Sequence, residues 1–466
     1  MTFPVYPDYR DSGVEWLGAV PVHWDIKPLR YLGRFRKGLT ITKADLTDTG
    51  IPCLNYGEVH SLYPFEVNQD IQVLKCVPAE YLDTEPSSCI SYGDFVFADT
   101  SEDLEGVGNF THVSGLDPLF AGYHTIIYSL DSDVNSRFLA YCLESFAFRT
   151  QLRMGVKGVK VFSVTQEILR GGIAWLPTTG EQTQIALFLD HETARIDALV
   201  EEQHRLIELL KEKRQALISH AVTKGLDPTV PMKDSGVEWL GEVPAHWGVK
   251  ALRYLGECQN GINIGGEAFG SGSPFVSYGD VYKNAVLPSE VTGLVQSSPE
   301  DQRRYSIEYG DVFFTRTSET VDEIGFSATC LQELPSAVFA GFLIRFRPTG
   351  KSLSPGFSKY YFRNQRLRIF FNKEMNLVTR ASLSQDLLKL LPVTIPPVVE
   401  QIKISDYLDR VTAEFGSLLG QAIKAIDLLK ERRSALISAA VTGKIDVRGW
   451  QPLALAQSPE LEEEAV

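Results

Sequence analysis

Residues 181–227 read EQTQIALFLDHETARIDALVEEQHRLIELLKEKRQALISHAVTKGLD, and this stretch returns later in the chain. Residues 400–446 read EQIKISDYLDRVTAEFGSLLGQAIKAIDLLKERRSALISAAVTGKID, so the copies are offset by 400 − 181 = 219 residues without a gap. Both copies predict a long helix, because apolar residues recur at alternating spacings of four and three. The predicted seam is Ile185, Leu189, Ile196, Leu199, Leu206, Leu210 and Leu217 in the first copy, and Ile404, Leu408, Val411, Phe415, Leu418, Leu429 and Leu436 in the second.

Both ends of the predicted helices carry signals. Thr179, followed three residues later by Gln182, predicts a capping box at the start of the first helix. Gly225 and Gly443 stand where a helix C-cap belongs. Roughly 40 residues at about 1.5 Å per residue give a rod of about 60 Å, so we expect each helix to act as a spacer.

The repeat extends into the segments before each helix. DSGVEWLGAVPVHW (11–24) returns as DSGVEWLGEVPAHW (234–247), and SYGDFVFADTSED (91–103) is similar to EYGDVFFTRTSET (308–320). The chain therefore reads as a duplication in the order globular half, helix, globular half, helix. Two long units are too few for a solenoid.

Each globular half has the pattern of a mixed α/β fold. Runs of β-branched and aromatic residues predict strands at 95–97, 124–128, 312–314 and 342–346. Segments 138–154 and 357–373 predict one helix each. The arginines expected on the polar faces of these helices are Arg149, Arg153, Arg363, Arg366 and Arg368.

Composition sets limits on the function. The chain has 466 residues and a formal net charge of −14, so a nucleic-acid ligand would need locally placed basic residues or positive charge from a partner. Six scattered cysteines without a CxxC pair indicate reduced thiols in a cytoplasmic protein. No apolar run is long enough to span a membrane, and the first residues lack the pattern of a signal peptide.

No pattern of catalytic or metal-binding residues stands out. The sequence lacks a phosphate-binding loop, a Cys/His metal spacing and the Asn/Asp-Pro-Pro-aromatic motif of amino-methyltransferases. The Gly-rich segment 261–273 is read as a loop. His23 and His246 stand at matching repeat positions beside tryptophans, which favours a structural role over catalysis.

The doubled DSGVEWLG-VP-HW opening, the P-x-x-EQ junction and the LLKE-R-ALI-AVT helix end together resemble the specificity subunit of Type I restriction–modification systems. The resemblance covers nearly the whole chain. It implies two target-recognition domains, at 1–180 and 228–398, and two spacer helices, at 181–227 and 399–446, packed as an antiparallel coiled coil. Residues 447–466 are expected to form a flexible acidic tail.

The resemblance also implies a function and partners. The chain would be a non-catalytic subunit that reads two short DNA half-sites separated by unspecified bases. Two methyltransferase subunits would dock on the helices, and restriction subunits would join them. The chain itself would bind no cofactor, since S-adenosylmethionine would belong to the methyltransferase and ATP with Mg²⁺ to the restriction subunit. A stand-alone DNA-modifying enzyme and a coiled-coil scaffold are the alternatives.

Residues that can reach bases and phosphates are the candidates for DNA contact. They stand in turns, in Gly-flanked loops and after the shared strand: Tyr56, Thr100, Ser101, Arg153, Lys157, Lys160, Tyr278, Arg316, Thr317, Ser318, Lys373, Asn376 and Arg380. The basic helix positions Lys211, Arg214, Lys430 and Arg433 are predicted to face solvent or a protein partner.

Overall fold

The computed structural model describes residues 3–158, 160–318, 324–374 and 381–452. The two longest helices coincide with the repeated stretch, at Thr179–Lys224 and Val398–Val441. Gly225 and Gly443 follow them with φ of +81° and +72°, so the predicted C-caps are confirmed. A mixed α/β fold with two long helices is also confirmed.

The capping box predicted at the first helix is wrong, because its glutamine has tertiary partners. Gln182 Nε2 donates to Pro177 O (2.9 Å), and Gln182 Oε1 accepts from Asn135 N (2.9 Å). Gln401 repeats this pattern in the second helix with Pro396 O (2.8 Å) and Ser354 N (2.7 Å). The two glutamines therefore tie the helix starts to preceding loops.

The fold divides into two compact units. Unit 1 is Met1–Glu202 with Ala425–Val466, and unit 2 is Gln203–Lys424. Each long helix thus contributes one segment to each unit. The domain boundaries expected at residues 180, 227, 398 and 446 stay a prediction.

Unit 1 contains two sheets with short helices and three strand pairs. The five-stranded sheet has the order Gly33–Lys37, Thr125–Leu130, Phe95–Ala98, Phe110–Val113, Phe65–Val67. The four-stranded sheet has the order Cys76–Val77, Ile51–Leu54, Leu119–Ala121, Cys89–Ile90. The strand pairs are Tyr9–Asp11 with Ala19–Pro21, Asp25–Pro28 with Ile173–Leu176, and Thr100–Ser101 with Phe162–Ser163. The short helices are Tyr81–Thr84, Ser136–Glu144, Phe146–Gly155 and Gln166–Gly171, with single helical turns at Leu29–Tyr31, Lys43–Asp45, Glu58–Leu62 and Pro86–Ser88.

Unit 2 repeats most of this arrangement. Its four-stranded sheet has the order Gly256–Asn260, Leu343–Pro348, Val312–Thr315, Ser327–Thr329. Its three-stranded sheet has the order Leu294–Val295, Phe269–Val276, Val338–Phe339. Its strand pairs are Met232–Asp234 with Glu242–Pro244, Gly248–Ala251 with Pro392–Ile395, and Thr317–Ser318 with Ala381–Ser382. Its short helices are Tyr278–Lys283, Pro299–Arg304, Pro355–Tyr361, Leu367–Glu374 and Gln385–Leu390, with single turns at Leu252–Tyr254 and Gly266–Ala268.

The repeated opening motif folds in the same way twice. Gly13 N donates to Asp11 Oδ1 (3.0 Å), and Gly236 N donates to Asp234 Oδ1 (2.9 Å). Trp24 and Trp247, at the motif ends, are both 1% exposed. His23 and His246 bond to glutamates at the starts of the long helices, in agreement with the structural role expected for them. The duplication seen in sequence is thus a duplication of structure.

The helices predicted at 138–154 and 357–373 are each split in two. In the first, Ser145 ends one helix, and its hydroxyl caps the next by accepting from Phe148 N (3.3 Å). The break turns apolar side chains of both pieces into one core, where Phe138 and Phe148 are fully buried. Pro355–Tyr361 and Leu367–Glu374 show the same division in unit 2.

Several of the arginines assigned to polar helix faces bond to neighbouring segments and are structural. Arg149 donates from Nη1 to Asn109 Oδ1 (2.8 Å) and from Nη2 to Glu144 Oε2 (2.7 Å). Arg363 donates to the backbone carbonyls of Val281, Asn284, Ser327 and Tyr282. The sequence pattern placed these side chains correctly off the apolar face, but it could not show that loops fold over them.

The predicted seam of the long helices is correct at the ends and shifted by one residue in the middle. Leu206 is 41% exposed, whereas its neighbour Ile207 is 8% exposed. One residue is a rotation of about 100° on a helix, which separates the two faces. The packed or half-packed positions of this stretch are Ile196, Val200, Gln203, Ile207, Leu210 and Arg214. Gln203 and Arg214 are polar, so the apolar pattern of the sequence does not show the register of this stretch. Leu199 and Leu418, which the prediction placed on the seam, are likewise exposed.

Within unit 1 the two helix segments run in opposite directions. Gln184 Nε2 donates to Trp450 O (2.7 Å), and Arg433 Nε donates to Asp197 Oδ1 (3.1 Å). Residue numbers therefore increase along the first segment in the direction in which they decrease along the second. The tail predicted to start at 447 is partly wrong. Val447 is 1% exposed, and the Trp450 ring lies 5.2 Å from the Phe188 ring. Residues 453–466 lie outside the described part of the chain.

Candidate nucleic-acid interface

In unit 1 a two-stranded element brings together segments that the sequence separates by about 60 residues. Thr100 pairs with Ser163, and Ser101 pairs with Phe162. The backbone of Asp99 continues the element, because Val164 N donates to Asp99 O (2.7 Å). The predicted contact segment at 100–101 therefore lies beside Phe162–Ser163, which follow the predicted contact loop at 153–160 in sequence.

Unit 2 contains the same element. Thr317 pairs with Ser382, and Ser318 pairs with Ala381. Leu383 N donates to Arg316 O (2.7 Å), which repeats the bond to the Asp99 carbonyl. We call these two elements the crossing pairs. They join the segment after the shared strand to the loop that precedes the last short helix of each unit.

The predicted contact residues of unit 1 differ in accessibility. Lys157 and Lys160 are exposed, while Thr100 and Tyr56 are half-buried. Burial raises the pKa of the Tyr56 hydroxyl, and the carboxylates of Glu102, Asp103 and Asp99 raise it further. Tyr56 therefore faces an acidic loop.

Two other residues of the predicted set shape that loop. Ser101 is fully buried, and its hydroxyl donates to Asp103 O (2.7 Å). Arg153 Nη2 donates to Glu105 O (3.0 Å), and burial together with the nearby Arg149 lowers the Arg153 pKa. Both side chains hold residues 101–105 in place.

The predicted residues of unit 2 occupy comparable places. Arg316 and Thr317 are half-buried at the crossing pair, and Ser318 is 8% exposed. Tyr278 is the first residue of the helix Tyr278–Lys283 rather than part of an open turn. Lys373 Nζ lies 2.7 Å from Glu238 Oε2. Asn376 and Arg380 lie outside the described residues.

The four basic helix positions fall into two classes. Lys211 and Lys430 are exposed, and Lys211 forms an ion pair with Glu208 one turn earlier (2.9 Å). Arg214 and Arg433 are half-buried on the packed faces of their helices, where Arg433 bonds to Asp197. The lysines are therefore more accessible to solvent or a partner than the arginines.

Sequence reasoning missed one polar pair beside the first crossing pair. His124 Nδ1 lies 3.2 Å from Asp99 Oδ1, and both side chains border a cleft of about 630 Å³ that Lys37, Thr40 and Ser163 also line. His124 has a φ of +55°, which is uncommon for a residue other than glycine. The only sequence signal was the alignment of Asp99 with Arg316 between the repeats.

The described ranges lack the features of a metal site and of a membrane span. They contain no group of three His, Cys, Asp or Glu side chains arranged to hold a metal ion. None of their helices is long and apolar enough to cross a membrane.

Comparison with known proteins shows what this architecture is similar to. Residues 249–427 match the family described as Type I restriction modification DNA specificity domain, and the duplication extends the same pattern to unit 1. The chain is thus similar to the specificity subunits of Type I restriction–modification systems. Over 457 residues it is 23% identical to the Type I restriction enzyme EcoKI specificity subunit of Escherichia coli K12, covering 95% of this chain and 93% of that protein.

Two solved structures share this fold. A chain from a study of complex assembly and conformational transition of the type I R-M system superimposes with a TM-score of 0.67 at 16% identity, covering 91% of this chain and 98% of that one. The HsdS subunit from Thermoanaerobacter tengcongensis gives a TM-score of 0.53 at 16% identity with the same coverage.

Proposed function

We propose that the chain is the DNA-reading subunit of a Type I restriction–modification complex and that each unit recognises one half-site of a bipartite target. The observation that carries the proposal is the presence of a crossing pair in both units with different side chains around it. A repeated backbone gives two equivalent reading positions, and divergent side chains give two different half-sites.

Catalysis and cofactors belong, in this proposal, to the partners. Two methyltransferase subunits would bind S-adenosylmethionine, and restriction subunits would bind ATP and Mg²⁺. The net charge of −14 supports this division, because the partners would then supply much of the phosphate contact.

The long helices are the proposed docking surface for the methyltransferase subunits. Several large apolar side chains on them are exposed, among them Leu187 and Leu428 in unit 1 and Leu209 and Ile402 in unit 2. Exposed apolar side chains repeated along a helix are typical of protein interfaces.

A domain exchange tests the proposal. The chain is co-expressed with its cognate methyltransferase in a host without other DNA methylation, and methylated sites are mapped by sequencing. Replacing residues 228–398 with the equivalent part of a family member of different specificity should change one half-site and leave the other intact. The matched control replaces residues 1–180 and should change the opposite half-site.

Two results would contradict the proposal. One is a change of both half-sites after either exchange, which would show that the units do not read DNA separately. The other is methylation by the isolated chain with S-adenosylmethionine alone, because catalysis would then reside in this subunit.

A further inference from the structure

Asp99 and Arg316 occupy the same place in the two units. Asp99 N donates to His124 O (3.1 Å), and its carbonyl accepts from Val164 N. Arg316 N donates to Phe342 O (2.9 Å), and its carbonyl accepts from Leu383 N. The same strand precedes each residue and the same crossing pair follows it. Backbone hydrogen bonds therefore make the two positions equivalent.

The two side chains have opposite hydrogen-bonding character. The Asp99 carboxylate only accepts, and the His124 imidazole beside it can donate from Nδ1 to Asp99 while Nε2 remains an acceptor. Arg316 only donates. In the part of unit 2 that the structure describes, the Arg316 guanidinium has no hydrogen-bond or ion-pair partner.

Both positions are open to a ligand. The Asp99 side chain is 34% exposed and the His124 side chain 63% exposed. Arg316 is half-buried, and its neighbour Phe342 is 64% exposed. The left-handed backbone of His124 is a second sign of function, because such conformations cluster at binding sites.

We propose that Asp99 and Arg316 are the equivalent base-reading residues of the two units: Asp99 accepts a hydrogen bond from the exocyclic amino group of cytosine or adenine, and Arg316 donates to O6 and N7 of guanine. This inference rests on the proposed function and adds a residue that the sequence did not indicate. His124 is a positioning residue, since its imidazole orients the carboxylate.

Base readout at these positions predicts opposite effects of two substitutions on two half-sites. Asp99→Ala should relax the requirement for one base in the half-site of unit 1 and leave the half-site of unit 2 unchanged. Arg316→Ala should relax the requirement for a guanine in the half-site of unit 2 and leave the half-site of unit 1 unchanged. The matched control is Glu102→Gln, which removes a charge from the adjacent exposed loop and should leave both half-sites as they are.

A binding experiment on the assembled complex tests the contact itself. The probe is a labelled target duplex in which the relaxed base lacks its amino group, with purine replacing adenine or 2-pyrimidinone replacing cytosine. For the wild-type complex this deletion should weaken binding by about 5- to 150-fold. For Asp99→Ala it should change binding less than twofold, because the partner of the amino group is already absent.

The outcomes separate this inference from the proposed function. An equal effect of the deletion on wild type and Asp99→Ala would overturn the Asp99 contact while the bipartite target remains. Loss of methylation at all sites without a changed motif would also overturn it, since Asp99 would then act on folding or assembly. Absence of any bipartite motif for the wild-type complex would overturn the proposed function and this inference together.

Discussion

Glu181 and Glu400 stand at the same position of the two repeats, but their surroundings differ. The Glu181 side chain is 4% exposed and accepts from Tyr6 Oη (2.5 Å), His23 Nε2 (2.9 Å) and Trp24 Nε1 (3.2 Å). The Glu400 side chain is 28% exposed and bonds to His246 Nε2 (2.8 Å). Among the described residues, Trp247 Nε1 is buried without a partner.

The difference has a simple origin. Tyr6 comes from the arm before the first strand pair, and the matching residue in unit 2 is Thr229, which bonds to Asp227 instead. The same motif, DSGVEWLG-VP-HW, therefore supports a buried carboxylate with three side-chain donors in one unit and a more exposed carboxylate in the other. Identical sequence does not guarantee identical energetics, because a residue outside the motif completes the network.

Removing the two carboxylates should produce the largest difference in stability between the two units. Glu181→Ala leaves the Tyr6 hydroxyl and the Trp24 indole buried without an acceptor, so we expect it to lower the free energy of unfolding of unit 1 by about 2–5 kcal/mol. Glu400→Ala should lower that of unit 2 by about 1 kcal/mol or less.

Cysteines in the two cores allow a unit-resolved measurement of this effect. Cys142 in unit 1 and Cys330 in unit 2 are both buried. A maleimide pulse across a urea gradient, read by mass spectrometry, gives the urea midpoint for each unit separately. Equal shifts for the two variants would show that the extra donors around Glu181 contribute nothing.

A buried histidine gives unit 1 a pH dependence that unit 2 lacks. Burial, with a smaller contribution from the nearby Arg137, lowers the pKa of His112 from 6.5 to about 4, while Glu66 and Asp190 oppose the shift. The equivalent position in unit 2, from the strand registers, is Thr329. Below pH 6.5 the unfolded chain binds a proton that the folded unit excludes, so stability falls as the pH falls from 6.5 towards 4.

The expected size of the His112 contribution follows from the two pKa values. It should be about 2 kcal/mol between pH 7 and pH 5, and about 3 kcal/mol by pH 4. Urea unfolding of wild type and His112→Asn, followed by circular dichroism at each pH, measures it as the difference between the two proteins. Thr329→Asn is the control and should keep the wild-type pH dependence; a His112→Asn protein that also keeps it would refute the prediction.

The smallest expected effect concerns the residue that creates the asymmetry. Tyr6→Phe removes one hydroxyl donor from Glu181 without leaving a cavity, so we expect unit 1 to lose about 1–2 kcal/mol. Thr229→Ala at the matching position should change unit 2 by less than about 0.5 kcal/mol. The Cys142 and Cys330 labelling midpoints measure both, and a larger shift at Cys330 than at Cys142 would reverse the interpretation.

The fold was predictable where the sequence repeats itself. The two long helices, the duplicated opening turn and the strands around Phe95 and Val312 all follow from local pattern. The register of the helix middle was not predictable in the same way. Gln203 and Arg214 occupy packed positions while Leu206 faces solvent, and only contacts distant in sequence decide between them.

The candidate site was predictable in position but not in detail. Segments 100–101 and 316–318 were recognised because both follow a shared strand, and the structure places both on crossing pairs. Asp99 was overlooked because a search for basic residues passes over a carboxylate. The repeat aligns Asp99 with Arg316, and the matching backbone bonds show that the two residues also share a position in the fold.

The composition of unit 1 has a consequence for synthesis of the protein. Its core includes Ile437, Ala440, Val441 and Val447, yet all of Gln203–Lys424 lies between these residues and the rest of the unit in sequence. Those 424 − 203 + 1 = 222 residues take about 10–45 s to translate at 5–20 residues per second. During that time the nascent first unit has an uncovered apolar surface, where Trp175 Nε1 still lacks the carbonyl of Val441. A chain that is truncated directly after Lys424 therefore contains the whole second unit joined to an unfinished first one, which is a substrate for chaperones and proteases.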